Sequence, residues 1–137
     1  MRVKIVSIEE SLISFESSIG FGKALYSENA KHLKPHLECD FEMDILINLA
    51  IGYNVIKTSL DKCQMEFKDG FNNIVACVDF VDQVEFENPQ DNYFHVVLRL
   101  REDGMLLGTF LELTDNISEG EYLLLKIAPE NLKITRQ

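Results

Sequence analysis

The sequence predicts an all-β chain, arranged as a mostly antiparallel β-barrel or β-sandwich of about ten short strands. Three observations support this: apolar and polar residues alternate with a period of two in several segments, Asp-Gly pairs separate two pairs of these segments, and turn residues recur throughout. With 137 residues, 46% of them hydrophobic, we expect one domain, 1–137, around one core. Barrel closure and sheet stacking both protect strand edges, so the pattern leaves barrel and sandwich open.

The first third of the chain predicts strands and leaves one segment ambiguous. Val3–Ile8 and Leu12–Phe15 alternate on either side of a short polar turn, as two paired strands do. Phe21–Ser27 is compatible with a third strand. A short helix near 23–34 is an equal alternative, because apolar residues there also recur at helical spacing before a proline.

The most regular alternation runs over Leu37–Leu49. Its odd positions are all apolar, and its even positions open with four acids, which we name the acidic row: Glu38, Asp40, Glu42 and Asp44. A helix would scatter these acids around its circumference, so the pattern predicts a strand with one buried face. Because the segment is longer than most strands, we expect it to bend or to change partners partway. The later even positions are less acidic and predict that this face becomes covered: Leu46, Asn48 and Ala50.

Two Asp-Gly pairs predict β-hairpins. Both central positions of a type I′ turn adopt positive φ, which Asp and Gly tolerate better than most residues. The first pair is Asp69-Gly70 and the second is Asp103-Gly104. The strands that they join are Lys62–Lys68 with Asn72–Val81, where Ile74 to Phe80 share a face at even positions, and Tyr93–Arg101 with Met105–Leu113.

The net charge of the chain indicates which classes of partner it can bind. There are 23 acidic and 13 basic residues, which gives a net charge of −10. Nucleic acids and anionic membranes repel such a chain, so we expect no nucleic-acid partner and no membrane association. The sequence has no apolar run long enough to span a membrane and no evident signal peptide, from which we expect a cytoplasmic location. A basic protein partner fits best, because complementary charge speeds its encounter.

The cysteines and histidines form no recognisable catalytic or metal-binding motif. Cys39, Cys63 and Cys77 are odd in number and widely spaced, which predicts buried free thiols. His32 and His36 are four residues apart, but a proline lies between them, which argues against a metal-binding helix. We therefore expect no cofactor and no catalytic activity.

Two surfaces are candidates for partner binding. The acidic row has three interpretations: a solvated strand face beside bases such as Arg99 and Arg101, a docking surface for a basic protein, or a divalent cation site. The second candidate is a long acidic connection whose phenylalanine could anchor an interface inside a polar rim, or could instead pack into the end of the barrel. Its candidate residues are Asp82, Glu85, Phe86 and Glu87.

The last part of the chain carries a resemblance. In Glu119–Leu132, a glycine precedes the predicted strand Glu121–Ile127, and Pro129-Glu130 then leads to Leu132, which begins a short final strand. This order resembles the closing segment of TOBE-type β-barrel modules, which often follow transporter ATPases. Ala128 stands where those modules commonly have arginine. The resemblance implies a small β-barrel that binds an oxyanion or another small ligand.

The sequence therefore favours a non-enzymatic binding protein. Its most concrete form is an inhibitor or immunity-type protein that neutralises a basic toxin or nuclease, because negative charge accelerates association with such a partner. The alternative is the small-ligand-binding barrel module that the resemblance implies. The sequence does not determine the oligomeric state.

Overall fold

The structure, a computed structural model, describes residues 1–26, 33–83, 93–100, 105–112 and 117–137. These residues form twelve strands and one 3-10 turn (Pro129–Asn131), and none of their helical segments is long and apolar enough to cross a membrane. The prediction of an all-β fold is confirmed. The strands are β1 (Arg2–Glu9), β2 (Leu12–Ser17), β3 (Gly20–Tyr26), β4 (Glu38–Ile45), β5 (Leu49–Ala50), β6 (Val55–Lys57), β7 (Gln64–Lys68), β8 (Phe71–Gln83), β9 (Tyr93–Leu100), β10 (Met105–Glu112), β11 (Tyr122–Ile127) and β12 (Leu132–Arg136).

Five of the strands close a barrel. β1, β2 and β3 form an antiparallel meander, and β4 returns to lie beside β1, which makes a Greek key. β12 fills the remaining gap, antiparallel to β4 and parallel to β3. The ring β1-β2-β3-β12-β4 therefore joins the two ends of the chain in one barrel.

The chain between β4 and β12 builds a further sheet centred on β8. β7 and then β9 pair with one edge of β8, while β11 pairs with the other edge. β10 continues the sheet beyond β9, and β6 continues it beyond β11. Because β7 also pairs with β3 at Met65 and Gly20, this sheet is continuous with the barrel.

The segment that the sequence left ambiguous begins as a strand, β3. It pairs with β2 along its whole length and with β12 near its end, and Ala24 and Tyr26 are buried in the barrel. The alternative of a helix is thus wrong for residues 23–26, because burial there follows a period of two. The remainder of the predicted helix falls mainly on residues 27–32, which lie outside the described residues.

A glycine pair in β3 allows the inserted sheet to approach the barrel closely. Gly20 has a φ of 135°, and a Cβ on it would collide with the backbone of Met65 in β7. A Cβ on Gly22 would collide with the Met65 side chain and would lie 2.9 Å from Cζ of Phe15. Side chains at these two positions would therefore push β7 away from β3.

The side chain of Asn72 links the inserted sheet to the barrel near the same junction with β3. Its side chain is fully buried, and its Nδ2 donates to the carbonyl oxygens of Lys23 at 2.7 Å and Ile127 at 3.2 Å. Its Oδ1 accepts the backbone N–H of Lys23 at 2.8 Å. One amide side chain thus supplies bonds that a continuous strand ladder would otherwise make between β3, β8 and β11.

The core is a single cluster that extends through both parts of the molecule. Burying each large apolar side chain contributes about 1.5–3 kcal/mol relative to leaving it in water. The largest fully buried side chains are Phe15, Phe41, Ile5, Ile13, Leu49, Ile74, Leu98, Leu100, Leu107, Leu111, Leu123 and Leu125.

The predicted hairpins are present. β7 and β8 are joined by Asp69 with φ 54° and Gly70 with φ 84°, as a type I′ turn requires. β9 and β10 pair along their full length, although the turn between them, 101–104, lies outside the described residues. The alternation predicted for β8 is wrong at Phe80, which is 48% exposed, because an extra residue between Val78 and Phe80 makes a bulge that shifts the register.

The long alternation around the acidic row divides into two strands. β4 ends at Ile45, and β5 begins at Leu49 with a new partner, β10, so the expected change of partner is confirmed. Of the later even positions, Ala50 is half-buried, but the expected covering is wrong at Leu46, which is 48% exposed, and at Asn48, which is also exposed. These two exposed residues lie in the connection that leaves the barrel, where they no longer have strand neighbours on both sides.

Candidate functional site

The acidic row lies on the outside of the barrel. Along β4, burial alternates residue by residue, so that Cys39, Phe41 and Met43 point into the core and all four acids are exposed. Successive members of the row are two residues apart, which places them about 6.6–6.8 Å from each other. The row is therefore a file of carboxylates about 20 Å long on a strand that is paired with β1 and β12.

Basic residues of the same chain flank the row. Across the ladders, Lys4 stands opposite Glu38, Arg2 opposite Asp40, and Lys133 opposite Asp44. Among these three pairs of described residues, only Arg2 and Asp40 form an ion pair, at 3.9 Å, and their side chains are 64% and 56% exposed. Such exposed pairs contribute little to stability and exchange readily with water or with another partner.

The bases that flank the row differ from the predicted ones. One of the three interpretations of the row placed Arg99 beside it, but the Arg99 Nε donates to Asp79 at 2.9 Å on the β8–β9 side of the molecule. Arg101 lies outside the described residues. The prediction for Arg99 is wrong because cross-strand register, and not exposure or spacing within a strand, decides which charges meet.

Glu42 differs from the other members of the row. Its cross-strand neighbour on β12 is Thr135, and its Oε1 accepts a hydrogen bond of 2.9 Å from Nε2 of Gln137. Beside it, a groove of about 510 Å³ runs between β4 and β10, with Asp44, Met105 and Leu106 among its walls. In the described ladders no base stands directly opposite Glu42, whereas Arg136 stands opposite Phe41 and Lys133 opposite Asp44.

A buried thiol lies beneath the row. Cys39 faces the core, and burial raises the pKa of its thiol, while the positive charges of Arg136 and Arg2 act in the opposite direction. The three cysteines are all buried and unoxidised, as predicted. A raised pKa keeps Cys39 in the thiol form, which is neither a good nucleophile nor a metal ligand.

The second predicted surface is described only in part. The backbone of Asp82 belongs to β8, opposite His95 on β9. Glu85, Phe86 and Glu87 lie outside the described residues, so their proposed role as an interface anchor stays a prediction.

The histidines do not assemble a metal site in the part of the chain that the structure describes. His36 is exposed in a turn with φ 71°, and His95 is half-buried on β9, while His32 falls in the undescribed stretch. No group of three or more His, Cys, Asp or Glu side chains that could hold a metal ion occurs among the described residues.

The structure contains a cavity that sequence analysis did not identify. It has a volume of about 230 Å³ and lies where the chain leaves β4 and returns towards β12. Two aromatic residues and a lysine line it together with smaller side chains: Tyr53, Phe71, Lys126, Ile47, Asn54, Ala128 and Asn131. We name it the Tyr53 cavity. Its residues come from four separate segments, and no local pattern connects them.

Comparison with known proteins adds no family to this description. No family model, no curated protein and no solved structure matches the chain. The segment Glu119–Leu132, which resembles TOBE modules, supplies β11, the 3-10 turn and the first residue of β12, the strand that closes the barrel.

Proposed function

We propose that this chain is a non-enzymatic binding protein whose partner is a basic protein that docks on the outward face of β4. The observation that carries the proposal is the acidic row, four exposed carboxylates in one file on a strand fixed by barrel neighbours. A rigid strand presents its charges in a fixed arrangement, which reduces the entropy lost when a partner binds.

Electrostatic range supports treating the row as one unit. The Debye length is about 8 Å at physiological ionic strength, which exceeds the spacing of about 6.6 Å between successive members of the row. A partner's cation near one carboxylate therefore also feels the next one. The net charge of −10 adds a weaker long-range attraction that favours encounter with basic proteins.

The flanking bases indicate which carboxylates of the acidic row contribute most to partner binding. Arg2 and Lys4 offset Asp40 and Glu38, whereas Glu42 faces Thr135 and Gln137, which are uncharged. We therefore assign the centre of the docking surface to Glu42, and we include its neighbour Asp44, which stands opposite Lys133 but forms no ion pair with it in the described part of the chain. In its most concrete form, the partner is a basic toxin or nuclease that this protein neutralises by covering it.

The experiment is a selection from a random peptide library displayed on phage, carried out against the intact protein. The test variant reverses the row (Glu38→Lys, Asp40→Lys, Glu42→Lys and Asp44→Lys). The control variant makes the same change in net charge at exposed acids elsewhere (Glu9→Lys, Glu10→Lys, Asp61→Lys and Glu66→Lys). Circular dichroism establishes that both variants remain folded.

We expect the selected peptides to be rich in lysine and arginine, to bind the control variant and to lose binding to the row variant. The loss should be at least tenfold, because each reversed site replaces an attraction by a repulsion. Selection of neutral or acidic peptides, failure to select any, or equal loss in both variants would overturn the proposal.

The closed barrel favours a second candidate function, a module that binds an oxyanion or a small metabolite. Its support is the barrel closed by β12, a strand that begins at Leu132, the last residue of the segment with the TOBE resemblance. Ligand binding to the native state raises the melting temperature by mass action. A melting temperature that rises with molybdate, sulfate or phosphate would support this candidate, and unchanged melting across these oxyanions would count against their binding.

A further inference from the structure

We propose that the Tyr53 cavity binds a small compound made of one planar ring and an anionic group. None of the residues that line this cavity belongs to β4, so its proposed ligand does not depend on a basic protein partner. It rests on the size of the cavity, on its aromatic walls, on the lysine at its rim and on the rigidity of the turn that presents Tyr53.

The cavity has the right size for one ring. An apolar cavity of about 150 Å³ is sufficient for benzene. The Tyr53 cavity, at about 230 Å³, therefore has room for a six-membered ring and a carboxylate or phosphate on it. Ile47 and Ala128 contribute apolar walls, and Asn54 and Asn131 complete the lining.

Tyr53 is exposed, and its backbone is held by hydrogen bonds. The residue is 87% exposed, which leaves its ring available for stacking. Gly52, with φ 89°, makes the turn possible, and its N–H donates to the carbonyl of Val55 at 2.8 Å. The N–H of Tyr53 donates to the carbonyl of Ala50 at 3.1 Å. A ligand would therefore find the turn already formed.

Asn54 connects this turn to the lysine. Its side-chain Oδ1 accepts the N–H of Ala50 at 2.7 Å, and its carbonyl oxygen accepts the N–H of Lys126 at 2.8 Å. Asn54 itself is buried, so the turn and β11 are fixed relative to each other. The distance between the Tyr53 and Lys126 backbones is thereby set by the fold and not by the ligand.

Lys126 selects the charge of the ligand. Its Nζ lies 4.5 Å from the centre of the Phe71 ring, at the rim of the cavity, where a cation–π contact positions it. The described residues that line the cavity include this one lysine and no acid. Although the chain has a net charge of −10, the ammonium group of Lys126 attracts an anion at this site. A neutral ring would gain only the stacking contact.

The experiment is an NMR titration of the ¹⁵N-labelled protein that follows its backbone amides. The probes are phenyl phosphate and benzoate, with benzyl alcohol as a ring without charge and inorganic phosphate as an anion without a ring. The variants are Tyr53→Ala and Lys126→Gln, and Lys62→Gln is the control because it removes an exposed lysine outside the cavity. The same spectra report whether each variant is folded.

We expect phenyl phosphate or benzoate to shift the amides around Tyr53 and Lys126 with an affinity about tenfold above that of either control probe. Tyr53→Ala should weaken binding about 2- to 10-fold by removal of the stacking surface. Lys126→Gln should remove the preference for the charged ring, and Lys62→Gln should change nothing. No shift near the cavity, equal binding of benzyl alcohol, or shifts that persist in both cavity variants would overturn the inference.

Discussion

At the scale of the residue, Asn72 is the side chain that joins the barrel to the inserted sheet. Asn72→Ala should lower the free energy of unfolding by about 3 kcal/mol, because three backbone groups of Lys23 and Ile127 lose their partner inside the protein. Urea denaturation measures the change. Asn73→Ala is the matched control, since Asn73 is only half-buried and donates to the carbonyl of Phe71 next to the turn. Equal stability of the two variants would contradict this account of the junction.

Because its thiol is buried, we expect Cys39 to make the free energy of unfolding depend on pH. Burial raises the pKa of its thiol in the folded state above the ordinary value of 9.0. The unfolded chain therefore loses this proton first, so the contribution of Cys39 is fully present below pH 9.0 and declines as the pH rises through the folded pKa. Cys39→Ala should show a shallower loss of stability between neutral and alkaline pH than the unaltered protein does. Parallel curves from urea denaturation at increasing pH would rule out this role.

At the scale of the element, the Asp69-Gly70 turn sets the register of β7 and β8. Gly70→Ala should lower the free energy of unfolding by about 1–2 kcal/mol, because a Cβ is unfavourable at φ 84° even though space around the turn is open. Asp69→Asn should leave stability unchanged or slightly raised, since Asn tolerates positive φ well. Thermal melting followed by circular dichroism compares the two. A Gly70→Ala protein as stable as the unaltered one would show that the turn does not determine the pairing.

The elements also show what a sequence can predict. The hairpins and the alternation of β4 could be predicted because each depends on residues close together in the chain. The exposure of Phe80 could not, because it follows from a bulge that forms only when β9 pairs with β8. β3 was ambiguous for the same reason: its periodicity is compatible with two structures, and its pairing with β12, more than 100 residues later, selects one.

At the scale of the whole molecule, β12 closes the barrel. A chain that ends at Ala128 should fail to unfold cooperatively, because it loses Leu132 and Ile134 from the core and leaves β3 and β4 without their shared partner. A chain that lacks only Gln137 is the control and should unfold much as the full chain does. Calorimetry distinguishes the two, and a cooperative transition in the shorter chain would mean that the barrel is stable without its closing strand.

Because the barrel closes through contacts between distant segments, the sequence predicted only part of the candidate sites. The acidic row was predicted as an exposed file, because alternation is local, but its flanking bases were not, since Arg2 and Lys133 come from opposite ends of the chain. The Tyr53 cavity was not predicted at all. It forms only when the connection after β4, the β7–β8 turn and β11 are brought together, and neither Tyr53 nor Lys126 belongs to a motif.

The proposed docking surface is tested most directly by the association rate of the most enriched basic peptide, measured by stopped flow at low and high salt. For the unaltered protein, we expect the rate constant to fall steeply as salt rises, because screening weakens the attraction of the acidic row. For the protein with Glu42→Lys and Asp44→Lys, we expect association to be at least about tenfold slower at low salt and to lose most of its salt dependence. Equal rates with the same salt dependence in both proteins would contradict the assignment of the acidic row as the surface that meets the partner.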